Sequence, residues 1–244
     1  NSITSLGLMS GTSLDGIDAS IINSDGKTHL EVKANHFSQY KPDFRQKLRN
    51  YIKNINSIED IKNSASEYKN LEKEVTLLHS DIAKKIISSQ TIDVDLVGFH
   101  GQTIIHKPKK KYSIQMGNPN LLSQLIQKKV IFNFRKNDIA NNGEGAPLTP
   151  IYHSLLSKKI FPNEPCIFLN IGGVSNFTYC NNNELVAKDI GPGNVLIDEY
   201  LKKTKNIDFD KNGEIASMGQ INMNVINQFI EHDTYSSEDR HSYD

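Results

Sequence analysis

The chain has 244 residues, and 28 Lys and Arg balance 28 Asp and Glu, so the formal net charge is +0 at pH 7. A neutral chain lacks the long-range field that attracts nucleic acids or anionic membranes, and we expect neither as a partner. Two cysteines, Cys166 and Cys180, have no metal-ligand spacing, and no apolar run reaches membrane-spanning length. The sequence therefore predicts a soluble, cytoplasmic protein of one large domain or two modest ones.

The first part of the chain combines strand and helix patterns. Short apolar runs bounded by Gly, Asn, Asp and Ser predict strands, and apolar residues at helical spacing predict helices. The expected elements are strands at about 3–9, 16–22 and 29–37, a short helix from Pro42, a longer helix from about 57 to 88, strands at 95–103, 112–116 and 129–134, and a helix at 119–127. This mixture indicates an α/β protein.

The second part repeats that plan after a long loop. The segment 134–150 is rich in Gly, Asn and charge and lacks clear periodicity, and loops of this length often carry function. The elements expected next are a helix at 150–158, strands over 166–180 and on to Asp189, helices at about 194–203, 213–219 and 221–231, and a polar loop at 233–244. We therefore predict two lobes, 1–160 and 161–244.

A turn rich in glycine, hydroxyl groups and carboxylates follows the first strand. It comprises Gly11, Thr12, Ser13, Leu14, Asp15, Gly16, Ile17 and Asp18. Glycine lets the backbone come close to a phosphate, and N–H groups and hydroxyls can donate to its oxygens. Asp15 and Asp18 could hold Mg²⁺ beside them. An ordinary hairpin turn explains the same residues equally well, so this segment alone leaves both interpretations open.

Three further segments place glycine beside a donor or a carboxylate near strand ends, where α/β proteins tend to bind ligands. His100 and Gln102 could contact a polar substrate, although a structural buried histidine is an equal alternative. Arg135 could bind an anion and Asp138 could accept a proton, or the two could form a loop ion pair. The last segment comprises Gly172, Gly173, Asp189, Gly191, Gly193 and Asn194. It precedes a predicted helix whose N-terminus favours anions, and Asn194 could instead be its N-cap. Walker A and GxGxxG motifs are absent.

Six motifs, taken in order, resemble the anhydro-N-acetylmuramic acid kinase family. They are MSGTSLDGID at 9–18, GFHGQT at 98–103, FRKND at 134–138, GEGAPL at 143–148, LNIGGVSN at 169–176 and DIGPGN at 189–194. The resemblance implies an α/β actin/hexokinase/Hsp70-type ATPase fold of two lobes with a central cleft. The family usually has Gln where this chain has Glu144. Its members also continue well beyond this length, so we expect an incomplete second lobe.

The resemblance also implies an activity. The family's reaction uses ATP, with Mg²⁺, to convert 1,6-anhydro-N-acetylmuramic acid and water to N-acetylmuramic acid 6-phosphate in cell-wall recycling, and a homodimer is implied. By the same resemblance, residues 11–18 are the ATP phosphate loop and Asp138 is the base that activates water. Gly172, Gly173 and the residues from Asp189 to Asn194 would lie near phosphate or sugar. Because the segment that holds adenosine would follow residue 244, a truncated pseudoenzyme that binds the sugar or a partner without turnover is the alternative.

Overall fold

The computed structural model describes residues 1–90, 92–182 and 184–231, so the loop predicted at 233–244 lies outside the described residues. These residues form two compact units, Asn1–Ile151 and a second unit that begins at Tyr152. The boundary falls within one helix, Pro150–Ile160.

A mixed sheet organises the first unit. Its strands are β1 (Ile3–Ser10), β2 (Gly16–Ser24), β3 (Leu30–Gln39), β4 (Leu96–Lys107), β5 (Tyr112–Met116) and β6 (Lys129–Ile131). The order is β3-β2-β1-β4-β5, and β6 pairs with the first half of β4. β1, β2 and β3 form an antiparallel meander, whereas β1 and β4 are parallel. The chain passes from β3 to β4 through α1, α2 and α3. The three predicted N-terminal strands are confirmed.

The helices of this unit differ from the prediction in two places. They are α1 (Pro42–Lys53), α2 (Ile58–Asn63), α3 (Ala65–Ser88), α4 (Pro119–Ile126) and α5 (Lys136–Ala140). The single helix predicted at 57–88 is wrong, because Ser64 leaves helical geometry, with φ −108° and ψ 28°, and separates α2 from α3. The segment 134–150 is also not entirely loop, since α5 lies within it.

The two faces of the sheet have different surroundings. Alternate residues of β1 and β2, such as Leu6 and Ile17, are buried in one cluster with Leu71 of α3. Because side chains alternate along a strand, Met9 and Asp18 point to the opposite face, where both are exposed. That open face is the one that carries most of the site described below.

The second unit contains an antiparallel meander followed by helices. Its elements are α6 (Pro150–Ile160), β7 (Cys166–Ile171), β8 (Val174–Asn181), β9 (Glu184–Pro192), α7 (Val195–Lys205), α8 (Glu214–Ser217) and α9 (Met223–Glu231). The predicted strand, glycine turn and strand over 166–180 are confirmed. Cys166 and Cys180 face each other across β7 and β8 as free thiols. Nowhere in the described ranges is a helix long and apolar enough to cross a membrane.

Candidate functional site

The loop between β1 and β2 is a tight turn with a solvent-facing tip. The Leu14 amide donates to the Gly11 carbonyl oxygen at 3.2 Å, and Leu14 adopts a left-handed φ of 57°. The Leu14 side chain is buried in the core, which anchors the turn from below. Thr12 and Ser13 are exposed at the tip, and within the described part of the chain their hydroxyls have no hydrogen-bond partner. A fixed turn with free outward donors is suited to bind an anion.

The two acids of this loop have different partners. Arg45 of α1 donates through Nη2 to Asp15 Oδ1 at 2.7 Å and to the Ser13 carbonyl oxygen at 3.2 Å. Asp18 has no cationic partner among the described residues, and partial burial, followed by the charge of Asp15, raises the pKa of its carboxyl above the usual value. Mg²⁺ is commonly held by one or two carboxylates together with substrate phosphates. Asp18 fits that role, whereas Asp15 would first have to leave Arg45.

No larger acidic or histidine cluster accompanies Asp18. Across residues 1–90, 92–182 and 184–231, no group of three or more His, Cys, Asp or Glu residues could hold a metal ion. A protein-only metal cage is therefore not formed by these residues, and any Mg²⁺ at Asp18 would need further oxygen ligands from water or the substrate.

Asp138 lies on α5 and is held by the loop that follows it. The Gly145 amide donates to Asp138 Oδ2 at 2.7 Å, and the Gly143 amide donates to the Asp138 carbonyl oxygen at 2.8 Å. A Cβ atom at Gly143 would collide with the Asp138 carboxylate, so this close approach requires glycine. Asp138 itself is exposed, and its Oδ1 accepts no hydrogen bond from the described residues. The result is a carboxylate fixed through one oxygen and free to accept a proton through the other.

His100 and Arg135 connect β4 to the Asp138 loop. Arg135 donates through Nε to His100 Nε2 at 3.1 Å and through Nη1 to the Gly145 carbonyl oxygen at 2.7 Å. An arginine N–H can only donate, so His100 Nε2 is the acceptor and Nδ1 carries the proton that it donates to the Gly101 carbonyl oxygen at 2.9 Å. Burial, aided by the Arg135 charge, lowers the pKa of His100 and keeps the ring neutral. The predicted substrate contacts of His100 and Arg135 stay predictions.

A cavity of about 580 Å³ opens on the exposed face of the first unit's sheet. Its lining includes Asp18 of β2, His100 of β4, and the aromatic side chains Phe37 and Phe134. The volume is in the range of small-molecule sites, and aromatic walls with a few polar groups are typical of them. The cavity thus brings Asp18, His100 and the start of the Asp138 loop around one space.

Gln102 lies beneath the β1–β2 loop rather than in this cavity. Its side chain is fully buried, with 0% exposure. Its Nε2 donates to the carbonyl oxygens of Gly11 and Thr103, each at 3.2 Å, and its Oε1 accepts from the Ser10 hydroxyl at 2.5 Å. Contact with a substrate stays a prediction, while contact with the loop is what the structure shows.

The second unit brings its predicted glycine residues together in front of α7. The Gly193 amide donates to the Gly173 carbonyl oxygen and the Asn194 amide to that of Gly172, both at 2.7 Å. Asn194 occupies the N-cap position, but its side chain makes no cap hydrogen bond and donates instead to the Ile171 carbonyl oxygen at 3.2 Å. Asn194 is therefore the N-cap residue by position, as the alternative had it, but without the side-chain cap. Gly191 and Asp189 lie in the preceding strand, β9.

Sequence reasoning missed two residues that shape the first loop, namely Tyr40 and Arg45. The Tyr40 hydroxyl donates to Ser10 Oγ at 3.0 Å, and Arg45 donates to the loop as described above. A single Tyr and a single Arg near the start of a helix form no motif, so the sequence offered no signal for these contacts.

Comparison with known proteins identifies the family. A family model described as anhydro-N-acetylmuramic acid kinase matches residues 3–243. Relatives of that name include proteins of Pelagibacter ubique (44% identical over 245 residues, covering 99% of this chain and 65% of the relative) and Brucella canis (35% over 246 residues, 98% and 66%). Another, from Rhodopseudomonas palustris, is 35% identical over 246 residues, which cover 99% of this chain and 67% of the relative. The chain therefore spans about two thirds of the length of these relatives, and the resemblance carried by the six motifs is confirmed: the chain belongs to the anhydro-N-acetylmuramic acid kinase family, whose α/β ATPase-type fold class it shares.

Proposed function

We propose that this chain carries the phosphate loop and the catalytic base of an ATP-dependent kinase that converts 1,6-anhydro-N-acetylmuramic acid and water to N-acetylmuramic acid 6-phosphate. The geometry of Asp138 is the observation that supports this proposal most strongly. Gly145 holds one carboxylate oxygen, and the other accepts no hydrogen bond from the described residues. A carboxylate in this arrangement can remove a proton from an attacking water molecule.

The proposed reaction couples two bond changes. Water attacks C1 of the sugar as Asp138 takes its proton, and the bond between C1 and the bridging oxygen breaks. The bridging oxygen stays on C6 and attacks the γ-phosphorus of ATP, and ADP leaves. Asp138 then releases its proton to solvent, so one ATP, one water and one anhydro sugar give one ADP, one sugar 6-phosphate and one proton. A carboxylate base that activates water at an acetal carbon also operates in inverting glycosidases.

Phosphoryl transfer needs positioning and charge neutralisation more than covalent chemistry. The exposed donors of Thr12 and Ser13 support the assignment of residues 11–18 as the ATP phosphate loop. Asp18 would hold Mg²⁺, with Asp15 as a second ligand if it leaves Arg45, and the ion would neutralise charge on the phosphate oxygens when bound. Arg135 and His100 would orient the Asp138 loop and border the sugar.

The second unit would contribute further contacts. Gly172, Gly173 and Gly193 form a compact pair of turns before α7, whose first turn has no side-chain cap. Backbone N–H groups at a helix start favour anions, so we assign these turns to phosphate, and Asp189, Gly191 and Asn194 to phosphate or sugar. The same proposal includes a homodimer, a role in cell-wall recycling and a cytoplasmic location, where ATP is available.

The test is an assay of the complete native protein with ATP, Mg²⁺ and 1,6-anhydro-N-acetylmuramic acid. We expect ADP and the sugar 6-phosphate to appear in equal amounts by mass spectrometry. Omitting ATP should leave the anhydro ring closed, because opening and phosphorylation are coupled. Absence of any sugar phosphate would refute the proposal.

A further inference from the structure

We infer that Gln102 is a positioning residue for the phosphate loop, acting through a buried hydrogen-bond chain that also includes Ser10 and Tyr40. Its side chain fixes the Gly11 carbonyl oxygen and thereby the direction in which the loop tip faces. The phosphate-binding role of that loop rests on the proposed function, whereas its geometry does not.

The chain of hydrogen bonds runs in one direction. The Tyr40 hydroxyl donates to Ser10 Oγ, and Ser10 Oγ donates to Gln102 Oε1. Burial raises the pKa of Tyr40 to about 12, so its hydroxyl keeps the proton that it donates. With Oε1 turned towards Ser10, the Gln102 amide nitrogen must face the Gly11 carbonyl oxygen, because an oxygen there would meet another acceptor.

The three side chains are buried, at 4%, 1% and 0% exposure for Tyr40, Ser10 and Gln102. Buried polar groups lose their hydration, so each needs a partner inside the protein, and breaking one link leaves the next group unsatisfied. The buried hydrogen-bond chain is therefore a fixed support for the loop rather than a set of interchangeable surface contacts.

The Gln102 side chain does more than join two strands. Ser10 and Gln102 are register partners where β1 and β4 already pair through their backbones. The side chain reaches one residue further, to Gly11, which lies beyond the end of β1. The Gly11 carbonyl oxygen that it holds is the same atom that accepts the Leu14 amide and closes the turn. Thr12 and Ser13, whose donors face solvent, lie between Gly11 and Leu14 in this turn.

Two substitutions in the native protein test this inference. Gln102→Leu removes the donor to Gly11, and Gln115→Leu is the matched control. Gln115, on the neighbouring strand, donates only to the Thr103 and Ser113 hydroxyls among its described contacts, away from the loop. We expect Gln102→Leu to raise KM for ATP by about 2- to 10-fold, the range that one lost hydrogen bond allows. KM for the sugar should stay within about twofold, and the control should change neither value.

Hydrogen exchange gives a readout that does not depend on turnover. The Leu14 amide should exchange faster in Gln102→Leu than in the wild type or the control, while amides within β1 stay protected. If the wild-type protein fails to phosphorylate the sugar, the proposed function fails. The exchange rate of the Leu14 amide then decides by itself whether Gln102 positions the loop. If Gln102→Leu does not fold, Tyr40→Phe removes the first donor of the chain with little change in shape, and the Leu14 amide should again exchange faster.

A fourth variant introduces a pH dependence that a merely structural role would lack. In Gln102→Glu, an ionised carboxylate would place an oxygen against the Gly11 carbonyl oxygen, whereas the protonated form can donate to it. Burial raises the pKa of such a carboxyl. We therefore expect protection of the Leu14 amide to recover in this variant as pH is lowered from 8 to about 5.5, with the intrinsic exchange rate corrected for. The inference would be overturned if the Leu14 amide were equally protected in the wild type and both Gln102 variants. It would also be overturned if Gln115→Leu had the same effect as Gln102→Leu.

Discussion

Asp138→Asn isolates the proposed proton acceptor from the structure around it. Asparagine has nearly the same shape, and its side-chain oxygen can still accept the Gly145 amide that now lies 2.7 Å from Asp138 Oδ2. The loop should therefore keep its conformation, with a stability change of about 1 kcal/mol or less, since a charged acceptor becomes a neutral one. The amide cannot take a proton from water at neutral pH. A lost general base costs about 10²- to 10⁴-fold in rate, which corresponds to about 3 to 5 kcal/mol in the barrier.

The assay is steady-state formation of sugar 6-phosphate by the complete native protein. We expect kcat to fall by about 10²- to 10⁴-fold while KM for ATP stays within about twofold, because Asp138 lies outside residues 11–18, the proposed phosphate loop. Asp81→Asn, at an exposed acid on α3, is the matched control and should leave both values unchanged. Turnover of Asp138→Asn close to that of the wild type would refute the assignment of the base.

Three further predictions follow from burial and close contact. Burial lowers the pKa of His79 to about 4 from 6.5, so its neutral form stabilises the fold above pH 6.5 and this stabilisation is lost as pH falls towards 4. His79→Leu should reduce the acid-induced loss of unfolding free energy by about 3 kcal/mol in urea titrations at pH 7 and 4, and equal losses would contradict this. Gly143→Ala places a Cβ atom against the Asp138 carboxylate and should lower kcat by about 10- to 100-fold, an unchanged kcat being the contrary result. Arg45→Met removes the donor to Asp15 and to the Ser13 carbonyl oxygen and should raise KM for ATP by about threefold; the loss of stability should be small because the Asp15 side chain is more than half exposed, and the same KM as the wild type would count against a role in loop geometry.

The parts of the fold that were predictable are those set by local pattern. The three N-terminal strands follow from apolar runs closed by polar turns, and the glycine turn at 172–173 was recognised for the same reason. The six motifs identified the family because each contains residue types at fixed spacing, which a sequence shows directly. Asp138 came from such a motif, and the structure adds the two backbone amides that hold it.

The features that were missed depend on partners distant in sequence. The helix break at Ser64 is a change in the backbone angles of one residue, and apolar spacing does not report it. Contact of Gln102 with a substrate stays a prediction, whereas its contact with the β1–β2 loop was not foreseen, because that contact depends on the pairing of β1 with β4. The Arg45 contact with Asp15 joins two separate elements and has no local signature.

The most direct test of the account is the fate of labelled water. The complete native protein would turn over ATP and 1,6-anhydro-N-acetylmuramic acid in H₂¹⁸O, and prompt borohydride reduction would fix the oxygen on C1 before mass spectrometry. The account predicts one ¹⁸O per product molecule, on C1, and none in the transferred phosphoryl group, because the bridging oxygen becomes the phosphoryl acceptor. A phosphorylated sugar that has gained no water, or ¹⁸O found in the phosphoryl group instead of on C1, would contradict it.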